Sequence, residues 1–171
     1  PMVLPTEGGH ALLPPADAFE RELLAMADVS ARGGLTFEHF LAGPGLVNLY
    51  RAVCGVWGSA IEHETPEAIS ARGLELSDPV CHKTLEVWAA MLGTAASHLA
   101  LMILARGGVY IGGALPRALR TVLLDGGFAR RFRGDGVQAE VLAETPVFLV
   151  TVEDAGLRGA ARYASRLAVT G

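Results

Sequence analysis

The chain has 171 residues, 51% of them hydrophobic and 19% charged, with a formal net charge of −4. That length suits one domain able to bury about two-thirds of its unfolded surface, and the apolar content excludes a disordered chain. With no basic run and no excess of positive charge, the sequence also excludes a nucleic-acid binder that works by neutralising phosphates.

In chain order, residues 2–4 suggest the end of a strand, and a loop with EGGH at residues 7–10 follows. Asp17 caps a helix over residues 19–27, with Glu20 at capping-box spacing and Phe19, Leu23, Met26 and Ala27 as its apolar stripe. Gly33 and Gly34 break the chain. Thr36 caps a short helix, FEHFLA, which the Gly43-Pro44-Gly45 break ends. The next helix, residues 46–57, places Leu46, Leu49, Tyr50, Val53 and Trp57 on one side. Thr65 and Pro66 start a fourth helix that Gly73 closes, and Ser77, Asp78 and Pro79 start a fifth.

The fifth helix holds residues 87–105, an uncharged run of 19 between Glu86 and Arg106 that raises the mean hydropathy to +0.36. At about 1.5 Å per residue such a helix nearly crosses a bilayer. Gly93, Thr94, Ser97 and His98 interrupt the run and alanine dilutes it. The expectation is therefore a helix covered by other protein elements, with His98 hydrogen-bonded in the core, and no membrane span. Val109, Tyr110 and Ile111 form a short strand opening into Gly112 and Gly113 and then a helix, an α/β signature. PVFLVTV, residues 146–152, is the clearest strand, with a composition that suits burial on both faces. A last helix covers residues 154–167. Seven helices against three strands make a thin sheet, so the chain is expected to be a piece of something larger or to complete its sheet with a partner.

Cys54 and Cys81 are too few for a disulfide framework, and no CxxC pair marks a zinc site. Two buried thiols in a reducing compartment is the plain expectation. The N-terminal stretch lacks the basic and apolar regions of a signal peptide.

Three places could carry chemistry. Glu7 and His10 flank two glycines on a loop. A carboxylate accepting from two hydroxyls beside an imidazole suits a polyol or sugar, although a solvated surface loop fits the tetrapeptide equally well. Glu38 lies in the short helix ahead of the GPG break. Gly112 and Gly113 suit close approach of backbone to a nucleotide, or simply a tight turn. Neither GxGxxG nor GxxxxGK[ST] occurs, HExxH is absent, and no metal ligands stand at helical spacing. His39, His63 and His82 show no partners by spacing.

EGGH, a glutamate ahead of GPGLVNLYRA, GGVYIGG with a following LPR, and PVFLVTVEDAGLRGAA together resemble the carboxy-terminal part of the bacterial ATP-dependent glucokinase family, from about residue 4 to about residue 166. The resemblance implies an α/β fold, the large domain of the actin-like (ribonuclease-H-like) sugar kinases, with a partial sheet and many helices. Residues 1–153 would be part of the sugar- and adenosine-binding domain, and the helix of residues 154–171 would pack on the amino-terminal domain. It implies Glu7, His10 and Glu38 as ligands of the glucose hydroxyls and Gly112 and Gly113 against adenosine, with ATP and Mg2+ as cofactors and no metal site of the chain's own. The aspartate that takes the proton from the sugar 6-hydroxyl, and the family's phosphate loops, match nothing in these residues. The chain alone is thus expected to be inactive, cytoplasmic and self-associating, with neither nucleic acid nor membrane as partner. The related ROK sugar kinases and repressors add a CxCGxxGC zinc motif that is absent here. The competing expectation is a non-catalytic sugar-binding or regulatory domain.

Overall fold

The computed structural model describes residues 3–27 and 34–170. Met2, expected at the end of a strand, and Gly33, expected to break the chain, lie outside the described residues. The elements in order are a 3-10 turn at Gly8–His10, then α1 (Ala18–Met26), α2 (Phe37–Leu41), α3 (Gly45–Trp57), α4 (Pro66–Leu74), α5 (Pro79–Ile103), β1 (Val109–Ile111), α6 (Ala114–Ala118), α7 (Arg120–Leu124), α8 (Gly127–Arg133), α9 (Ala139–Glu144), β2 (Val147–Leu149) and α10 (Ala155–Thr170).

The helix starts obey local chemistry. Asp17 Oδ1 accepts from Glu20 N at 2.8 Å, and Glu20 Oε2 reaches back to Ala16 N at 2.7 Å. Glu20 is nevertheless buried, because its other oxygen meets the Arg131 guanidinium of α8 at 2.8 Å. A buried carboxylate needs such a partner. Thr65 Oγ1 accepts from Ala68 N, and Asp78 Oδ1 accepts from Val80 N and Cys81 N, with proline in the first turn of both helices. Gly73 lies inside α4. A methyl there would come within 2.9 Å of the Cys81 carbonyl, so this glycine serves the contact with α5, and Leu76 takes the left-handed turn after the helix, at φ 57°.

All but the last two residues of the long apolar run lie within α5, which packs against α2, α3, α4, α7, α8 and α9. By length and composition α5 could cross a membrane, but half of its apolar window is buried inside the protein. Trp88, Leu85 and Met91 of α5 join Tyr50, Leu46, Leu49 and Val53 of α3 and Phe40 of α2 in the core. One expectation fails here. His98 is exposed, its ring edge-on to Phe37 at 5.9 Å, and Trp57, at the last turn of α3, is also exposed.

Among the described residues the sheet has two strands, β1 and β2, parallel, with Tyr110 opposite Phe148. Residues 3 and 4 are not in a strand, and the segment between the strands folds into four short helices where the sequence suggested one. β2 is not buried on both faces. Phe148 is 44% exposed and stacks on Tyr110, itself 65% exposed, because no described residue covers that side of the two-stranded sheet. α10 begins one residue after Asp154, whose Oδ1 holds Arg158 Nε at 2.8 Å, and its described side chains from Gly156 onward are exposed.

Candidate functional site

Backbone pairing joins the EGGH turn to α2. Leu13 N donates to Leu35 O at 2.9 Å, Phe37 N donates to Ala11 O at 3.2 Å, and Leu12 and Thr36 form an antiparallel bridge. The turn closes through His10 N to Glu7 O at 2.9 Å. Two segments distant in sequence therefore lie side by side, and their side chains meet. His10 Nε2 is 3.3 Å from Glu38 Oε2 and 3.7 Å from Glu7 Oε2. All three side chains are more than half exposed, so the cluster opens to solvent.

Glu38 is held from behind. His39 Nδ1 accepts from Thr36 N at 3.1 Å and lies 2.8 Å from the Thr36 hydroxyl, a histidine in the place a capping-box glutamate usually takes. Trp88 Nε1 of α5 donates to Leu41 O, and Asn48 of α3 donates to His39 O. Gly45 seats the first turn of α3 directly on α2. A methyl there would stand 2.7 Å from His39 O, so only glycine fits. The GPG break thus does more than end a helix: it presses α3 onto the backbone that carries Glu38.

On the other side of the GPG break a cleft of about 1120 Å3 runs between α3, the start of α4 and the turn at Gly112 and Gly113. That volume accommodates a ligand of nucleoside size or larger, since ligand pockets commonly span roughly 300–1,000 Å3. Its walls are largely apolar, including Leu92, Tyr110 and Leu115, with Asn48, Arg51, Glu64, Glu67 and Ser70 as polar groups. Gly113 has φ 124°, which side chains rarely adopt, and Gly112 meets only Val150 near 4 Å, so the backbone is open to a ligand here. The structure thus brings Glu7, His10 and Glu38 into one cluster and puts Gly112 and Gly113 in a separate cleft. Asn48 and Arg51 were not singled out from the sequence. The signal was their place on one face of α3, one turn apart.

The remaining histidines do have partners. His82 lies 3.6 Å from Glu86, and His63 Nε2 lies 3.0 Å from Asp78 Oδ2. Cys54 and Cys81 are free and buried. Burial pushes both thiols up, Cys81 to about 12, and also raises the Tyr50 phenol to about 12. Burial works against ionised Asp78 too, but hydrogen bonds from Cys81 N–H, His63 and Val80 N–H outweigh it and hold this carboxyl below its ordinary value.

The chain matches the Glucokinase family model over residues 1–167. The glucokinase of Chromobacterium violaceum is 42% identical over 158 residues, 92% of this chain and 45% of that protein. A glucokinase-like protein of Xylella fastidiosa is 38% identical over 163 residues, 95% of this chain and 48% of that protein. The crystal structure of a glucokinase from an Antarctic psychrotroph superposes with a TM-score of 0.86 at 33% identity, covering 94% of this chain and 49% of that one. The glucokinase of Balamuthia mandrillaris, crystallised in complex with glucose, shares the fold at a TM-score of 0.75 and 20% identity, covering 88% of this chain and 44% of that one. The chain spans about half the length of the curated relatives it matches, and by the family match across nearly all of its residues it belongs to the glucokinase family.

Proposed function

We propose that this chain is the carboxy-terminal portion of an ATP-dependent glucokinase, in which Glu7, His10 and Glu38 hold the hydroxyls of glucose and the Gly112–Gly113 cleft takes the adenosine of ATP. The observation that carries the proposal is the convergence of two carboxylates from separate segments on one imidazole, with Glu38 3.3 Å and Glu7 3.7 Å from His10 Nε2. Each carboxylate can accept from two neighbouring hydroxyls while the imidazole donates or accepts one more, a pattern suited to a sugar.

The cleft fits a nucleoside by its volume, its apolar walls and its open glycine backbone. The donor groups fit Mg2+ poorly. Among the described residues, the one group of three ligand-type side chains whose ligand atoms all lie within 4.8 Å of one another is His63, Asp78 and Cys81, none of which lines this cleft. Mg2+ would neutralise phosphate charge when it arrives with the nucleotide, and no residue here is assigned to it. The base that accepts the 6-hydroxyl proton is proposed to come from outside these 171 residues. By this reading residues 1–153 form part of an actin-like large domain, and α10 packs on the other domain. The chain alone transfers no phosphoryl group, because such transfer depends on positioning and charge stabilisation that the present residues only partly supply. A cytoplasmic location belongs to the same proposal.

Losing one hydrogen-bonding carboxylate should cost about 1.5–3 kcal/mol. In a longer chain that carries the rest of the enzyme, Glu38→Ala should raise the glucose KM at least tenfold. An unchanged KM would remove Glu38 from the site and take the sugar assignment with it.

A further inference from the structure

The loop between α3 and α4 comes back to the N-terminus of α5 and leaves three ligand-type side chains together there. One ring nitrogen of His63, one carboxylate oxygen of Asp78 and Sγ of Cys81 all lie within 4.8 Å of one another. His63 Nε2 faces Asp78 Oδ2 at 3.0 Å, both side chains are mostly buried, and Cys81 is fully buried behind them. A cavity of about 390 Å3 reaches His63 and Asp78 from outside, bordered also by Tyr50, Glu62, Arg72 and Ser77. Neither the sugar cluster nor the nucleotide cleft uses any of these groups.

We propose that His63, Asp78 and Cys81 bind a thiophilic, tetrahedral divalent cation of the Zn2+ type, with water from the cavity in the fourth position. The geometry needs little rearrangement. Bonds of about 2.0–2.3 Å around a tetrahedral ion place ligand atoms about 3.3–3.7 Å apart. The His63–Asp78 hydrogen bond, at 3.0 Å, already has nearly that length, and Cys81 must close by no more than about 1–1.5 Å. Asp78 is pre-oriented, because its other oxygen is fixed by Val80 N at 2.7 Å and Cys81 N at 3.0 Å. Such outer hydrogen bonds aim a metal-binding carboxylate. The His63 ring is held at 5.7 Å from the Tyr50 ring.

The charges also balance. A thiolate and a carboxylate neutralise a divalent ion, while His63 contributes a neutral lone pair, so the loaded site has no net charge to bury. The proton that His63 shares with Asp78 moves to the other ring nitrogen, and the Cys81 thiol proton leaves to solvent. The positive end of α5 and Arg72 oppose the cation, whereas Glu62 favours it. Thiolate ligation selects Zn2+ or Co2+ over Mg2+ or Ca2+. The ion would clip the α3–α4 loop to α5.

The test is titration of the purified 171-residue chain with Co2+, read by the thiolate-to-cobalt charge-transfer band in the near ultraviolet and the visible bands of tetrahedral cobalt. The expected result is saturation at one equivalent, displacement by Zn2+ and a higher thermal unfolding midpoint with Zn2+. Cys81→Ser should abolish the charge-transfer band, His63→Gln should weaken binding at least tenfold, and Cys54→Ser should change it less than twofold. Absence of the band in the parent chain, its survival in Cys81→Ser, or unchanged affinity in His63→Gln would overturn the proposal. Circular dichroism identifies a variant that has not folded. If Cys81→Ser fails that check, the partly exposed His63→Gln carries the decision.

Discussion

The helical seam and the sheet of this chain are built to different degrees of completeness. Around α3 and α5 the side chains of Tyr50, Trp88, Phe40, Leu85 and Met91 are all but fully removed from water. Across β1, β2 and α10, by contrast, Tyr110, Phe148 and Leu157 are 65%, 44% and 73% exposed. An apolar hollow of about 370 Å3 also opens between the strands and α8 and α9. A helix in a bundle can cover its apolar stripe with neighbouring helices, but a two-stranded sheet has two faces and two edges with too little chain to cover them. The cluster of Glu7, His10 and Glu38 hangs on the complete part, and the cleft at Gly112 and Gly113 borrows one wall from the incomplete part.

The largest expected effect tests the complete part. Trp88→Ala should lower the unfolding free energy by about 3–5 kcal/mol, measured by urea denaturation, because it empties a fully buried site and removes the hydrogen bond to Leu41 O. A loss below about 1 kcal/mol would mean that this seam is not the core.

Gly45→Ala comes next. Its methyl meets the α2 backbone, and the forced shift should cost about 1–3 kcal/mol. In a longer, active chain it should also raise the glucose KM, because α2 carries Glu38; a stability loss with unaltered KM would uncouple the α2–α3 contact from the site. Thr36→Ala, which loses a helix cap, should cost about 1 kcal/mol in the same denaturation experiment.

The smallest effect on stability and the clearest on association belongs to the sheet. Tyr110→Ser with Phe148→Ser should change the unfolding free energy by less than about 1 kcal/mol, since both rings are largely exposed. The parent chain at micromolar concentration should scatter light as a dimer or larger species, and the double variant should be smaller. A clean monomer for the parent would show that the open sheet face does not drive association.

Much of the helical part was legible in the sequence because its signals are local. Asp17, Thr36, Thr65 and Asp78 mark helix starts by side-chain chemistry that operates within one turn, and Leu46, Leu49, Tyr50 and Val53 show the period of a buried face. The sheet was less legible. A β-rich string such as PVFLVTV suggests two buried faces whether or not anything lies against them, and coverage is a property of the neighbours. His98 failed for the same reason, since an apolar run does not say which side of a helix turns outward. The partnership of His63 with Asp78 was invisible because the loop that returns His63 has no periodicity to follow.

By itself, then, the sequence determined where helices begin, which faces of α1 and α3 are apolar, that two thiols stay free, and which residues could serve a sugar or a nucleotide. It did so because capping, amphipathic spacing and side-chain chemistry act over a few residues. Only the tertiary structure decided that Glu7, His10 and Glu38 share one place, that Gly45 fastens α3 to α2 beneath Glu38, and that His63 comes home to Asp78 and Cys81. Those facts depend on the backbone pairing of residues 11–13 with residues 35–37 and on close packing between helices, interactions between segments whose separation along the chain carries no local mark.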